Sequence, residues 1–177
     1  MLEAIGSLIE IFSEGIENGD PETMDRFLVP LAQAGATGNR LGVTVMLSFY
    51  AELQLRFGRI EPAIATIDGA LAASGASGQP CYDARLLELR GEALRRMPDA
   101  DDAEVEQLFR SAIETARGQQ ARSFEVRAAT RLAGFLRERD RSAEAAAILR
   151  PVYAGFVEGF QTPDLTDAKT LLDALDE

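Results

Sequence analysis

The densest group of side chains that could carry chemistry is a run of carboxylates. It comprises Asp99, Asp101, Asp102, Glu104 and Glu106. Carboxylates can hold a divalent cation, but a calcium loop needs the spacing D-x-[DN]-x-[DN]-G and a glutamate at its twelfth position. The required glycine is missing here, and acids also favour the start of a helix, where they complement its dipole. The sequence therefore predicts a helix start, with no metal and no cofactor.

Residues that usually drive catalysis are scarce. The chain has no histidine, which removes the commonest general base and leaves Cys81 without a Cys-His partner. Its one lysine, Lys169, lies in DAKTLL rather than in a G-x-x-x-x-G-K-[ST] phosphate loop. Glu88 and Glu92 lie one helical turn apart, a spacing typical of a solvated helix face. These features predict a protein that is not an enzyme.

The overall charge narrows the classes of partner. The 177 residues carry a net charge of −11, which disfavours nucleic acid and anionic membrane surfaces because both need a basic face. No apolar run reaches the ~20 residues of a membrane span, and the first residues lack the basic start of a signal peptide. A single cysteine fits a reducing compartment. We therefore expect one cytoplasmic domain without nucleic-acid or membrane partners.

Apolar residues recur at spacings of three and four throughout, and no segment alternates like a strand. Gly58 and Gly118 are placed to end helices, Ser142 is expected to cap one, and Thr162-Pro163 to open the last. The segment 74–78, Ser-Gly-Ala-Ser-Gly, is expected to be the most flexible linker. The apolar stripes of the nine predicted helices run over about 2–17, 24–31, 40–57, 63–71, 82–97, 105–116, 124–136, 145–156 and 165–175.

The helix pair predicted within 123–160 is too short to bury both of its stripes, so it needs neighbours of the same kind. Similar pairs recur, and Gly58 and Asp140 occupy the same turn position. A bulky residue followed three positions later by a small one marks each second helix, in a pattern that resembles tetratricopeptide repeats. The bulky positions are Ile67, Phe109 and Leu149, and the smaller ones are Ala70, Ala112 and Val152.

We expect an all-α fold in which residues 1–177 form a single tetratricopeptide-like domain. About four helical hairpins would follow a right-handed superhelix, and a C-terminal helix would cap the array with its acids Asp164, Asp167, Asp173 and Asp176 in water. The repeat spacing of about 40 residues exceeds the usual ~34. An ordinary helical bundle with chance periodicity is the alternative.

The tail carries a more specific resemblance. Its segments are Arg127-Ala128-Ala129-Thr130, Pro151-Val152-Tyr153, Glu158-Gly159-Phe160 and Thr162-Pro163-Asp164-Leu165. They are similar to the C-terminal tetratricopeptide-like region of bacterial multidomain proteins that combine an adenylate/guanylate cyclase domain with an AAA-like ATPase. The resemblance covers roughly residues 35–176. It implies a non-catalytic helical-repeat module of a signalling protein, either a piece of one or a free-standing relative.

In tetratricopeptide arrays the first helix of each pair lines the inner face, and arginine there suits the recognition of carboxylates. Thirteen of the seventeen arginines lie in 85–150. We expect the module to bind a protein or peptide, or other domains of the same polypeptide, and a homo-oligomer is left open. A small-molecule sensor using the concave groove is the alternative, and arginines paired with acids on adjacent helices are the plainer interpretation. The predicted inner-face residues are Arg85, Glu88, Glu92, Arg95, Arg96, Arg127, Thr130, Gly134 and Arg137.

Overall fold

A computed structural model describes Arg26 and residues 40–78 and 80–176 of the chain. These residues form helices joined by short turns and contain no strand, so the described part is all-α as predicted. The predicted helices over 2–17 and 24–31 lie outside the described ranges. The helices are α1 (Arg40–Arg56), α2 (Ile60–Ser77), α3 (Asp83–Leu94), α4 (Asp102–Gly118), α5 (Arg122–Arg137), α6 (Ser142–Ala154) and α7 (Pro163–Leu175).

Each helix packs against the next one in the chain. The backbones of α1 and α3, of α3 and α5, and of α5 and α7 also come close, whereas within the described ranges those of α2 and α4, and of α4 and α6, do not. Side chains still connect α4 and α6, because Arg110 binds Glu144 at 2.7 Å. The first helices of successive hairpins therefore lie side by side, and the described second helices are farther from one another. None of the helices in 40–78 and 80–176 has both the length and the apolar character that a membrane crossing requires.

Three of the turns between helices share one geometry. Gly58, Gln120 and Asp140 each adopt a positive φ, at 71°, 55° and 59°. In each turn the following amide donates to a carbonyl five residues earlier, which is the bonding of a Schellman motif. The predicted equivalence of Gly58 and Asp140 is confirmed. The three bonds are Arg59 N to Gln54 O at 2.8 Å, Ala121 N to Ala116 O at 2.9 Å and Arg141 N to Leu136 O at 3.0 Å.

The apolar stripes meet in two cores, and α3 contributes to both. The first core joins α1, α2 and α3 through residues such as Leu55, Ile67 and Leu89. The second joins α4, α5, α6 and α7 around Phe109, Phe135, Leu149 and Leu172, and Leu87 and Leu94 of α3 pack against it. The bulky repeat positions Ile67, Phe109 and Leu149 are all fully buried, as are Ala70 and Ala112, while Val152 is only partly buried.

The junction of these cores depends on a glycine. The Phe109 ring of α4 lies against Gly91 of α3 and meets Phe135 of α5 edge-on, with ring centroids 6.1 Å apart. A Cβ on Gly91 would stand 2.8 Å from Cε1 of Phe109, closer than non-bonded carbons approach. Gly91 therefore allows three helices from two hairpins to share one aromatic contact.

Two local predictions are wrong. The segment 74–77 is not a linker but the last turn of α2, which ends at the left-handed Gly78. Ser74 is buried there, and its hydroxyl donates to Asp83 Oδ1 at 2.5 Å, so a tertiary contact overrides its turn-like composition. Ser142 is the first residue of α6 rather than its cap, since the cap position is Arg141 and no side chain caps the helix. The helix start predicted for the acidic run is confirmed, because α4 begins at Asp102 and the carboxylate of Asp101 accepts from Ala103 N at 2.9 Å.

Replacing Gly91 by alanine should lower the free energy of unfolding by about 1–2 kcal/mol. Overpacking against Phe109 costs about 1–3 kcal/mol and exceeds the gain of up to about 1 kcal/mol in helix propensity. Gly69→Ala is the matched control, because its Cβ would meet nothing within 4 Å, and it should stabilise the protein. Urea unfolding measures both variants. If the two substitutions change stability equally, the contact with Phe109 does not restrict this position.

The two non-glycine residues in left-handed turns should respond differently to glycine. Gln120→Gly should stabilise the protein by about 0.5–1 kcal/mol, because glycine adopts positive φ without steric cost. Asp140→Gly should gain less, since aspartate tolerates this conformation better than glutamine does. Thermal melting compares the two with Gly58→Ala, which should destabilise. A loss of stability in Gln120→Gly would show that its side chain contributes more than its backbone strain removes.

Candidate functional site

A polar cleft of about 250 Å³ opens where the first helices of the three hairpins lie side by side. It is smaller than the ~300–1,000 Å³ of typical small-molecule pockets. Charged side chains dominate its walls. The lining residues are Glu52, Leu55 and Arg56 of α1, Arg85, Glu88, Leu89 and Glu92 of α3, Arg96 just after α3, and Arg131 of α5.

The floor of the cleft is a buried ion triad. Arg85 donates to Glu52 Oε2 at 2.5 Å and to Glu88, whose side chain is 2% exposed. Burial alone lowers the pKa of the Arg85 guanidinium, but the two carboxylates more than offset this effect, and the net shift is upward. Arg85 therefore stays charged, and its donors are engaged by Glu52 on α1 and Glu88 on its own helix.

A second carboxylate, Glu92, lies beside the triad with weaker partners. Its oxygens are 3.5 Å from Nη1 of Arg95 and 3.5 Å from Nη2 of Arg96, and 4.0 Å separates Oε2 from Nε of Arg131. Oε2 is buried and accepts no hydrogen bond from the described residues. Glu92 therefore lies near three guanidinium groups, and one of its own oxygens still accepts no hydrogen bond from the described residues.

The mouth of the cleft is formed by three half-exposed arginines. The side chains of Arg56, Arg96 and Arg131 are 48%, 42% and 48% exposed. Arg96 donates to the carbonyl of Leu55 at 2.9 Å, which fixes one end of its guanidinium. Arg131 makes only long contacts, the nearest at 3.6 Å to Oε1 of Glu88. Most of the donors at the mouth consequently face solvent.

The structure separates the predicted inner-face residues into two groups. Arg85, Glu88, Glu92 and Arg96 line the cleft together. Glu88 and Glu92 are buried, so their interpretation as a solvated face is wrong, because α1 and α5 cover that side of α3. Sequence reasoning did not include Glu52, Arg56 or Arg131 in the site, although the i,i+4 pair of Glu52 and Arg56 was a usable signal.

The remaining predicted residues lie outside the cleft. Arg127 donates to both carboxylate oxygens of Asp164 on α7, at 2.9 and 2.8 Å. Asp164 therefore does not simply face water, contrary to the prediction from the sequence. Arg95 donates to Glu138 at 2.9 Å, and the hydroxyl of Thr130 donates to the carbonyl of Val126 at 2.8 Å. Arg137 is exposed, and its side chain forms no ion pair with a residue in the described ranges.

The arginines of the cleft can bind a ligand through hydrogen bonds. Arginine donates hydrogen bonds but does not release its proton, so it neither attacks nor acts as a base. Among the described residues, no three Cys, Asp or Glu side chains are grouped to hold a metal ion. Cys81 is exposed ahead of α3 and does not line the cleft. The arrangement offers a ligand several guanidinium donors above an ion triad that carries one net negative charge.

Comparison with models of known protein families and with curated proteins gave no match to this chain. The site is therefore interpreted from its own geometry, and the resemblance to cyclase- and ATPase-linked proteins stays a prediction from the residues quoted above.

Replacing Arg85 by methionine should destabilise the protein by about 3–5 kcal/mol, because it leaves Glu88 as a buried charge without its main partner. Denaturant unfolding measures the loss. The control is Arg117→Met, whose side chain is 63% exposed and pairs with Glu125, and it should cost no more than about 1 kcal/mol. Equal losses in the two variants would mean that the triad does not hold α1 to α3.

Proposed function

We propose that this protein is a non-catalytic, tetratricopeptide-like module that binds a protein or peptide partner along the face formed by α1, α3 and α5. The partner would be a separate protein or another domain of the same polypeptide. The observation that carries the proposal is the asymmetry of helix packing: the backbones of first helices come close to one another across hairpins, and those of the described second helices do not. An array that is tighter on one side curves toward that side and makes it concave.

The small and bulky positions of the second helices support the repeat interpretation. Ile67 and Phe109 are buried, and the alanines three residues after them are buried as well. Tetratricopeptide hairpins use a small residue at such a place to let helices approach closely. Continued over successive hairpins, this packing would give the right-handed superhelix that the sequence predicts, with α7 as the terminal cap on α5 and α6.

The regulatory setting rests on the resemblance of the tail to cyclase- and ATPase-linked bacterial proteins. In that setting the module would work in the cytoplasm and transmit a signal by binding another protein or domain rather than by catalysing a reaction. The lack of histidine and of a phosphate loop in the sequence supports a role without catalysis.

The chemistry of the face favours a partner with exposed carboxylates. Arg137 is exposed with no ion pair among the described residues, and Arg131 of the same helix makes only long contacts. Arg127 and Arg95 are already engaged by Asp164 and Glu138. A partner would therefore meet Arg131 and Arg137 first, and Arg127 is better regarded as a link between α5 and α7.

A small-molecule sensor is the second candidate function. The convergence of several guanidinium donors on one cleft favours it, and the volume of about 250 Å³ limits the ligand to one smaller than a drug-sized molecule. In this alternative a bound ligand would bridge α1, α3 and α5 and change how the hairpins sit on one another.

The test for the primary proposal is partner retention by a face variant and a matched control. Gly134→Glu with Arg137→Glu adds two acids one turn apart on α5, and a Cβ at Gly134 meets nothing within 4 Å. Gly69→Glu with Arg117→Glu makes the same changes on α2 and α4, where Gly69 is equally open.

The wild type and the control should retain a captured partner, and the face variant should bind it at least tenfold more weakly, about 1.4 kcal/mol. Affinity is measured by surface plasmon resonance, and melting curves verify that both variants fold. A partner that binds the face variant as tightly as the control would place the interface elsewhere on the molecule.

A further inference from the structure

The charges around the cleft do not cancel at its mouth. Arg85 pairs with Glu52 and Glu88, and this triad carries one net negative charge. Arg95 is balanced by Glu138 outside the cleft. The groups at the opening are then one carboxylate, Glu92, against three guanidinium groups. With the triad included, the four arginines and three glutamates that line the cleft leave one net positive charge, in a chain whose net charge is −11.

The three arginines are brought together by shared partners. Arg96 and Arg131 flank the same carboxylate, at 3.5 and 4.0 Å from the oxygens of Glu92. Arg56 contacts Glu52 at 3.4 Å, and Arg96 binds the carbonyl of Leu55, the residue before Arg56. One cleft of about 250 Å³ therefore receives donors from α1, from the end of α3 and from α5.

Their donors are largely unused. A guanidinium group has five N–H donors, and Arg131 forms no hydrogen bond within 3.5 Å to the described residues. Arg56 has one long contact, at 3.4 Å, and nearly half of its side chain is exposed. Planar guanidinium groups bind the paired oxygens of carboxylates and phosphates in a bidentate way, so the unused donors match an oxyanion.

We propose that the cleft binds a small dianion, a dicarboxylate or a phosphate group, through Arg56, Arg96 and Arg131. The size of the cleft limits the ligand to a few heavy atoms beyond the anionic groups. Glu92 opposes the ligand and sets its affinity, because its carboxylate competes for Arg96 and Arg131 and repels a second anion. This inference deepens the small-molecule candidate and does not depend on the protein-binding proposal.

The test is calorimetric titration of the full chain with succinate and, separately, with inorganic phosphate at 150 mM NaCl. At least one should bind with a dissociation constant of about 1 mM or tighter. Acetate and the neutral diamide succinamide should bind at least tenfold more weakly than succinate, because acetate carries only one negative charge and succinamide carries none. The two dianions distinguish a carboxylate ligand from a phosphate ligand, which have the same oxyanion chemistry.

Variants then locate the site. Arg131→Gln and Arg56→Gln should each weaken the dianion at least tenfold, whereas Arg150→Gln, an equally exposed arginine on α6, should leave its affinity unchanged. Glu92→Gln should tighten binding at least threefold, because it removes the competing carboxylate and keeps the shape of the side chain. This gain of affinity also serves as the readout if an arginine variant does not fold.

Three results would overturn the inference. The first is no binding of either dianion up to about 10 mM, a concentration at which a millimolar site would be mostly occupied. The second is an equal loss in Arg150→Gln and Arg131→Gln, which would indicate unspecific attraction. The third is weaker binding by Glu92→Gln, which would mean that the ligand donates to Glu92. An acidic peptide that binds the face while both dianions fail would retain the protein-binding proposal and reject this one.

Discussion

Helix α3 is covered on every side, and this constraint shapes the rest of the described structure. Its apolar residues face two cores, one formed with α1 and α2 and the other around Phe109. Arg85, Glu88 and Glu92 then have to lie on the remaining side, toward α1 and α5. Buried charges persist only when they are paired, so α1 supplies Glu52 and α5 brings Arg131 close. The cleft is the space left by this pairing.

Arginine rather than lysine makes these connections, and the geometry explains the choice. A guanidinium fork can reach carboxylates on two different helices at once. Arg90 of α3 binds Asp68 of α2 at 2.8 Å and Glu104 of α4 at 3.0 Å. Arg110 of α4 binds Glu144 of α6 at 2.7 Å while holding a carboxylate of its own helix. Much of the arginine enrichment in 85–150 is therefore structural, which is the plainer interpretation of the sequence.

These connections depend on pH in a defined direction. Arg139 holds the pKa of Asp102 below its usual value through hydrogen bonding, and Arg141 does the same for Glu106. A carboxyl group whose pKa falls on folding contributes stability above its unfolded pKa and loses that contribution as the pH falls through its folded pKa. The links between α4 and the turn before α6 should thus weaken in acid, and not at neutral pH.

The sequence predicts those features that depend on neighbours along the chain. The helix over 40–57 matches α1 because its pattern is local, and Asp140 could be matched to Gly58 because the turn spacing repeats. Burial of Glu88 depends on α5, a remote segment, so its spacing on α3 alone suggested a solvated face. Arg56 and Arg131 could not be associated by pattern, since only the packing of α1, α3 and α5 brings them to one cleft.

Contacts between neighbouring hairpins also determine how the chain unfolds. In a linear array each unit touches only its neighbours, and stability is the sum of the units and of the interfaces between them. Here the interfaces combine the Phe109 contact with arginine links such as Arg95 to Glu138. When the interfaces contribute much of the free energy of unfolding, a hairpin that opens loses its contacts with both neighbours as well as its internal packing. For such an array we expect the described helices to unfold as one cooperative unit, so that a change at one end is felt at its centre.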